Sequence, residues 1–229
     1  MNETSKSRPF WGALEHSILT GAGIDIGCGP DPVTPGVRQF DLVDGDANRI
    51  SEHVAGQFDF VYSSHCLEHM RDPRAAVREW WKLVKPGGHL FFVVPDEDLY
   101  EQGVFPSRFN AGHTATFTLA KSRSWSPVSV NVLDLAQSLP GGRLVRLALQ
   151  DQGYDRSLLR HGPDTPPVWP LRLVIRAYNH FRKNGLRRLP GMERFKARYF
   201  ALDQTSTAGA LAQIQCIVEK EGLAPAPLH

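Results

Sequence analysis

The sequence of 229 residues predicts an α/β fold organised around a mostly parallel sheet. A short apolar strand, Gly23–Ile26, ends abruptly in Gly27 and Gly29, which can adopt backbone angles closed to other residues. A second clear strand, Phe58–Ser64, is rich in aromatic and β-branched residues, and a helical segment separates it from the apolar run 89–95. Strands that alternate with helices favour parallel pairing, in which ligands bind at the carboxyl ends of the strands.

The remaining elements of the first half are predicted from spacing and capping residues. Apolar residues at helical spacing predict a helix over 10–19, and the run 37–42 predicts the strand after the glycine bend. Asp72 suits an N-cap and Pro73 the first position of the next helix. The turn 86–88, Pro-Gly-Gly, ends that helix.

The second half predicts a helix over 128–139, a strand over 142–149 and an edge-side strand over 212–219. We expect one domain, 1–229, with its core in 10–153 and 207–221.

The segment 154–206 is predicted to be a helical insertion before the last strand. Residues 172–198 hold nine Lys and Arg against one acid, Glu193. The segment either packs on the core as a solvated insertion, or forms a basic lid over an anionic substrate. A peripheral contact of residues 171–198 with anionic lipid is a further expectation.

Composition limits the classes of function. The net charge is only +2, so the whole chain is no obvious nucleic-acid binder. Its three cysteines are widely spaced, which predicts neither a disulfide framework nor a zinc site. No signal peptide is visible at the N-terminus, and no apolar run is long enough to span a membrane. We expect a cytoplasmic protein, with at most a peripheral contact at the inner face of the membrane. The oligomeric state is left open, and a homodimer is one alternative.

The glycine bend alone has two interpretations, a structural turn or a ligand cradle. The dinucleotide fingerprint Gly-x-Gly-x-x-Gly is absent, because position 32 is Pro, and no P-loop follows. Four motifs in order favour the cradle: Asp-Ile-Gly-Cys-Gly-Pro at 25–30, Gly-Asp-Ala at 45–47, the run 58–69, and Trp-Lys-Leu-Val-Lys-Pro-Gly-Gly-His-Leu at 81–90. Over roughly residues 20–95 the chain resembles class I S-adenosylmethionine-dependent methyltransferases of the type-11 branch.

The resemblance implies a Rossmann-like sheet of seven strands with the last strand antiparallel and helices on both faces. It also implies S-adenosylmethionine as cofactor and S-adenosylhomocysteine as product. The matching cofactor-binding positions are Asp25, Gly27, Cys28, Gly29, Asp41, Asp44, Asp46, Ala47, Ser63 and Ser64.

Within that set, the carboxylate of Asp41, or alternatively Asp44, would accept the ribose hydroxyls. Asp46 would accept the adenine amine, with Ala47 leaving room for the ring. Asp41 and Asp46 are only five residues apart, whereas the family usually places a helix and a strand between their equivalents. Either that connection is truncated, or one acid is misassigned.

Three histidines are candidates for a general base that takes a proton from an acceptor hydroxyl: His113, His69 and His65. His65 and His69 belong to a loop or short helix, 65–69, whose pattern His-x-x-Glu-His also occurs in zinc proteases. Because it follows a strand directly rather than lying on a long helix, we expect no metal there. The predicted substrate contacts are Glu68, Asp96, Tyr100 and Arg108.

A softer resemblance concerns the run 98–110, His113 and the residues 125–127. They are similar to methyltransferases of bacterial surface-polysaccharide and lipopolysaccharide pathways. This implies a sugar hydroxyl on a nucleotide- or lipid-linked glycan as acceptor. Separately, the low net charge and the absence of an Asn/Asp-Pro-Pro-Tyr motif lead us to expect no nucleic-acid partner. The alternatives are a small-molecule N- or O-methyltransferase of secondary metabolism and a non-catalytic binding subunit.

Overall fold

The computed structural model describes residues 2–222, except for the side chains of residues 207 and 208. The strands in this range are β1 Gly23–Ile26, β2 Arg38–Phe40, β3 Phe58–Ser64, β4 Val84–Pro95, β5 Thr116–Thr118, β6 Ser129–Asn131, β7 Gly142–Gln150 and β8 Gln213–Lys220. The α-helices are α1 Glu3–Ser7, α2 Ala13–Ile18, α3 Pro73–Lys82, α4 Val132–Gln137, α5 Trp169–Lys183, α6 Pro190–Ala197 and α7 Gln204–Ala208. Short turns of other helix types lie at Arg8–Phe10, Ala47–Glu52, Leu67–His69, Glu97–Glu101 and Arg156–Leu158.

The main sheet has the spatial order β2-β1-β3-β4-β8-β7. The pairs β1–β2, β1–β3 and β3–β4 are parallel, whereas β8 runs antiparallel to both β4 and β7. The predicted α/β class and the antiparallel last strand are therefore confirmed. Strands β5 and β6 form a separate parallel pair.

Two details of the sheet differ from the prediction. The main sheet has six strands within residues 2–222, not seven, because residues 41–57 alone connect β2 to β3. A parallel crossover needs roughly a dozen or more residues, so this connection is too short for an additional strand with a crossover on each side. The last strand, β8, lies between β4 and β7 and not at an edge.

The predicted helix over 128–139 is divided in the structure. Ser129–Asn131 form β6, and α4 begins only at Val132. The side chain of Asn131 accepts a hydrogen bond from the Asp134 amide and caps α4, which fixes the start of the helix there.

The core lies on both faces of the sheet. On one face, α3 and α4 pack Trp80, Val77 and Leu135 against Ile26 and Phe92 of the sheet. On the other, Ile18 of α2 packs with Tyr62 and Phe91. Asp72 caps α3 by accepting from the amides of Arg74 and Ala75. These two layers hold the carboxyl ends of β1, β3 and β4 at one edge of the sheet.

Candidate functional site

A cleft with a cavity volume of about 170 Å³ opens at the carboxyl ends of β1, β3 and β4. Its lining residues come from the glycine turn, the turns after β3 and β4, α1 and α7: Glu3, Thr4, Gly27, Cys28, Gly29, Asp31, Ser64, His65, Glu68, His69, Tyr100, Asn110, His113, Thr205 and Ser206. The order in which strands are added to the sheet reverses between β1 and β3. Open α/β sheets bind ligands at such a switch point.

The glycine turn exposes main chain to this cleft. Gly27 has φ +74°, and a Cβ there would lie 2.6 Å from the sulfur of Cys66. Gly29 has φ +53°, and a Cβ there would meet nothing within 4 Å. The Gly29 amide donates to Oδ2 of Asp41 at 2.8 Å. At Gly29, therefore, the main chain borders open space next to the carboxylate of Asp41.

The predicted ribose acids lie beside this turn but do not line the cleft. Oδ1 of Asp41 accepts from the Leu42 amide, and Oδ2 of Asp44 accepts from the Asp41 amide, both at 2.8 Å. Leu42 and Val43 are 90% and 95% exposed, which is unusual for large apolar residues. This rim could pack against a flat apolar ring.

Asp46 and Ala47, the residues predicted to contact adenine, make contacts that stabilise the local structure. Asp46 caps the turn Ala47–Glu52 by accepting from the Asn48 amide and side chain, and it pairs with Arg71 at 2.5 Å. The Asn48 hydrogen bonds and the Arg71 charge lower the pKa of Asp46. The Ala47 carbonyl accepts from the Trp80 indole at 2.9 Å.

Beneath the glycine turn, Asp25 is buried. Its Oδ2 accepts from the Val33 amide at 2.7 Å, while its Oδ1 has no partner. Burial raises its pKa to about 7, the Val33 amide opposes this, and the charges of Asp31 and Asp41 add to it.

Replacing Asp25 by asparagine should change how stability depends on pH. The pKa of Asp25 is raised in the folded chain, so the wild type loses stability as pH rises from about 4 to about 7. Relative to Asp25→Asn, the wild type should lose roughly 2–4 kcal/mol over this interval, because one pKa unit is worth about 1.4 kcal/mol. Urea denaturation of both proteins between pH 4 and 8 measures this, and a constant difference would contradict it.

Three further residues predicted to bind the cofactor, Ser63, Ser64 and Cys28, have different surroundings in the structure. Ser63 is buried and its hydroxyl donates to the Ile26 carbonyl at 2.9 Å. Ser64 lines the cleft, and its buried hydroxyl has no partner. Burial, with the charges of Asp25 and Asp41, raises the pKa of the Cys28 thiol to about 11, so this thiol remains protonated at neutral pH.

Glu68 and His65 form a buried ion pair at the base of the cleft. Oε1 of Glu68 lies 3.3 Å from Nδ1 of His65, and Glu68 is fully buried. Burial alone would lower the pKa of His65, but the charge of Glu68 outweighs it and raises this pKa to about 9. Nε2 of His65 lies 3.0 Å from Oε1 of Gln213, whose amide nitrogen donates elsewhere. Both ring nitrogens are engaged, which suits a fixed imidazolium better than a base.

His113 lies opposite, between two acids. Its Nδ1 is 2.6 Å from Oε1 of Glu101, and its Nε2 is 4.0 Å from Oε1 of Glu68. The ring stacks on Tyr100, with centroids 5.3 Å apart, and meets His69 edge-on at 5.0 Å. Since Nδ1 donates to Glu101, Nε2 keeps the lone pair on the side of Glu68.

Main-chain contacts hold this group of side chains together. The Thr114 amide donates to the Glu68 carbonyl at 2.8 Å, and its hydroxyl donates to the Met70 carbonyl at 2.6 Å. Nδ1 of His69 donates to the Gly112 carbonyl at 2.9 Å. The loop after β4 is thereby fixed against the turn after β3.

Two predicted substrate residues lie outside the cleft lining. Asp96 caps the turn Glu97–Glu101, and burial raises its pKa to about 6. Arg108 pairs with Asp164 at 2.6 Å and donates to the Gly162 carbonyl at 2.6 Å, which ties the loop after β4 to the segment 154–206.

Several lining residues were not predicted from the sequence. Glu3 and Thr4 of α1 reach the cleft because Asp31 accepts from the Ser5 amide at 2.8 Å and from its hydroxyl. Thr205 and Ser206 of α7 close another side, where Asp203 caps the helix. Asp31, which follows the glycine motif, lines the cleft and anchors α1, and no role was predicted for it from the sequence. The other contacts join residues too distant in the chain to predict.

One protein-family model and parts of several curated proteins match this chain. A family model described as "Methyltransferase domain" matches residues 13–189, more than half of the chain. A ubiquinone biosynthesis O-methyltransferase of Erwinia tasmaniensis is 40% identical over 76 residues, which is 31% of this chain and 31% of the relative. Its counterpart in Pseudomonas entomophila is 36% identical over 85 residues, 35% of this chain and 37% of the relative.

The chain thus spans about a third of the length of these curated relatives. Among solved structures, a SAM-dependent methyltransferase from Archaeoglobus fulgidus is similar with 13% identity and a TM-score of 0.45. The superposition covers 95% of this chain and 92% of that one.

Proposed function

The chain belongs to the methyltransferase domain family, whose cofactor is S-adenosylmethionine, and on this premise we propose that it methylates a hydroxyl oxygen of an anionic sugar. The observation that carries the proposal is the pair of His113 and Glu101 beside Glu68 in the cleft. The curated relatives that match part of the chain are named O-methyltransferases, which supports oxygen as the acceptor atom.

The cleft and its rim fit the cofactor in three respects. The main chain at Gly29 faces open space, so a methionine tail could approach it closely. The buried hydroxyl of Ser64, which lines the cleft, lacks a partner that a polar ligand or its bound water could supply. Asp41, beside the glycine turn, offers a carboxylate for the ribose diol. When bound, the cofactor supplies a methyl group activated by a sulfonium.

The chain's own part is to position the acceptor and to take up its proton. A hydroxyl beside Nε2 of His113 would meet a lone pair whose ring is oriented by Glu101 at 2.6 Å. Holding the reacting atoms in line accounts for much of the acceleration in methyl transfer.

The polar lining supports a polyhydroxylated acceptor. Tyr100, Asn110, Thr205 and Ser206 offer hydroxyl and amide groups around the cleft. The segment that ends in α7 also carries the nine basic residues of 172–198, which would complement the phosphates of a nucleotide or lipid carrier.

A panel of acceptors tests the proposal. The protein should add one methyl group to an oxygen of a nucleotide-linked or lipid-linked sugar, detected by mass spectrometry with methyl-labelled cofactor. Methylation of amines alone, or binding of cofactor without transfer to any hydroxyl in the panel, would contradict it.

We further propose that α5 contacts an anionic membrane surface. Trp169, Leu173 and Phe181 are 70%, 44% and 59% exposed, and their spacings of four and eight residues place them along one side of the helix. The exposed Arg172 and Arg176 flank this face. Within residues 2–222 no helix has the length and apolar character to cross a bilayer. An apolar stripe flanked by arginines suits the interface plane instead.

Replacing Trp169 and Phe181 together by alanine should weaken binding to phosphatidylglycerol vesicles at least about tenfold. Burying each ring in the interface is worth roughly 1.5–3 kcal/mol when complete. Sedimentation with vesicles measures this, and Phe10→Ala, which changes an exposed ring away from α5, is the matched control. A wild-type protein that does not sediment, or that binds neutral vesicles equally well, would refute the contact.

A further inference from the structure

Three side chains with potential ligand atoms converge at the end of the cleft: Glu68, His69 and His113, here called the three-ligand cluster. One ligand atom from each lies within 4.8 Å of the others. Glu68 has 0% exposure, and its Oε1 lies 3.3 Å from Nδ1 of His65, whereas its buried Oε2 has no partner. Leaving a buried carboxylate oxygen unpaired is costly, so this arrangement favours a second positive partner beside His65.

The two imidazoles of the cluster are oriented as metal ligands usually are. Nδ1 of His69 donates to the Gly112 carbonyl at 2.9 Å, and Nδ1 of His113 donates to Glu101 at 2.6 Å. This leaves Nε2 of each ring with its lone pair. Metal-bound histidines almost always donate their other N–H to a carbonyl or a carboxylate, which fixes the tautomer.

We infer that the three-ligand cluster binds one divalent cation, of the kind of Zn²⁺ or Mn²⁺, with an open coordination position that faces the cleft. Two imidazoles and one carboxylate form a ligand set typical of catalytic sites for such cations. The sequence predicted no metal at 65–69, because the pattern does not lie on a long helix. His113, from a distant loop, supplies the ligand that this pattern lacked.

His65 lies on the other side of Glu68 and does not complete the cluster. Its Nδ1 is 3.3 Å from Oε1 of Glu68, the oxygen that also lies 4.0 Å from Nε2 of His113. His65 therefore acts as a positioning residue that fixes the carboxylate. The remaining acid nearby, Glu101, is engaged with His113.

The inference rests on the proposed function but gives His113 a different part in it, because with a cation bound its Nε2 is a ligand and not the base. A hydroxyl at the open position would lose its proton more readily, because a bound cation stabilises the alkoxide. The proton leaves to water in the cleft, the oxygen forms the new bond to the methyl carbon, and the carbon–sulfur bond breaks. The cation is neither oxidised nor reduced.

Calorimetric titration of the chelator-treated full chain with MnCl₂, and separately with ZnCl₂, tests the site directly. We expect saturable binding of one cation per chain, weakened at least about tenfold in Glu68→Gln and His69→Ala. His69 is exposed, so His69→Ala should fold, which circular dichroism verifies. His180→Ala, which removes an exposed imidazole from α5, should bind as the wild type does. Absent saturable binding, or unchanged affinity in both cluster variants, would overturn the inference.

A second measurement separates this inference from the proposed function. If the chelator-treated protein binds no cation and still methylates a hydroxyl at full rate, the cation site is wrong and the function stands. If one cation binds at the cluster but no hydroxyl is methylated, the site stands and the function falls.

Discussion

Replacing His113 by alanine is expected to lower the turnover number of methyl transfer at least about a hundredfold, with the dissociation constant of S-adenosylmethionine unchanged. A positioned group that removes a proton in the transition state typically contributes roughly 10²–10⁴-fold. His113 is buried, held by Glu101 at 2.6 Å, and stacked on Tyr100 at the acceptor end of the cleft. The variant leaves the glycine turn and Asp41 intact, so cofactor affinity should be retained. Single-turnover kinetics and calorimetry measure the two quantities separately.

Glu101→Gln provides the companion variant. Glu101 orients His113 without lining the cleft, so its replacement should reduce turnover less and shift the pH profile of the reaction. His180→Ala should leave both quantities unchanged. If His113→Ala retained full activity, His113 would take no part in the reaction, neither as general base nor as a ligand of the proposed cation.

Replacing Asp41 by alanine is expected to weaken cofactor binding by between about tenfold and a hundredfold. A hydrogen bond to a charged group is worth roughly 1.5–3 kcal/mol, and about 1.4 kcal/mol corresponds to a factor of ten. The structure adds a second cost, since Oδ2 of Asp41 accepts from the Gly29 amide at 2.8 Å. Loss of that contact would loosen the glycine turn as well as remove the carboxylate offered to the ribose. Calorimetric titration with S-adenosylmethionine measures the change.

Two variants separate the roles of the neighbouring acids. Asp41→Asn keeps an oxygen for the Gly29 amide, so its loss of affinity should be smaller than that of Asp41→Ala. Asp44→Ala should have a smaller effect, because Asp44 supports the Asp41 amide and does not contact the glycine turn. A larger loss in Asp44→Ala than in Asp41→Ala would transfer the ribose role to Asp44.

The sequence predicted those parts of the fold whose signals are local. The strand Phe58–Ser64 has the predicted bounds, because its aromatic and β-branched residues are flanked by polar turns. Asp72 and Pro73 start α3 as expected from capping. The separation of Asp41 and Asp46 by only five positions left a truncated connection as one of two alternatives, and the structure connects β2 to β3 through residues 41–57 alone.

Much of the site could not be predicted, because it depends on contacts between distant segments. Glu101 meets His113 only because the turn after β4 bends back over the cleft. Thr205 reaches the same cleft from α7, nearly 180 residues after Gly27. Polar loop residues carry no periodic signal that would place them, whereas the glycine turn and the strand ends do.

A crystal structure of the full chain with S-adenosylhomocysteine tests the central claim most directly. The product should lie over Gly27 and Gly29, with its ribose hydroxyls on Asp41 and its sulfur facing His113 and Glu68. A product bound elsewhere, or bound with its sulfur turned away from His113, would contradict both the cofactor site and the proposed transfer to an acceptor at that end of the cleft.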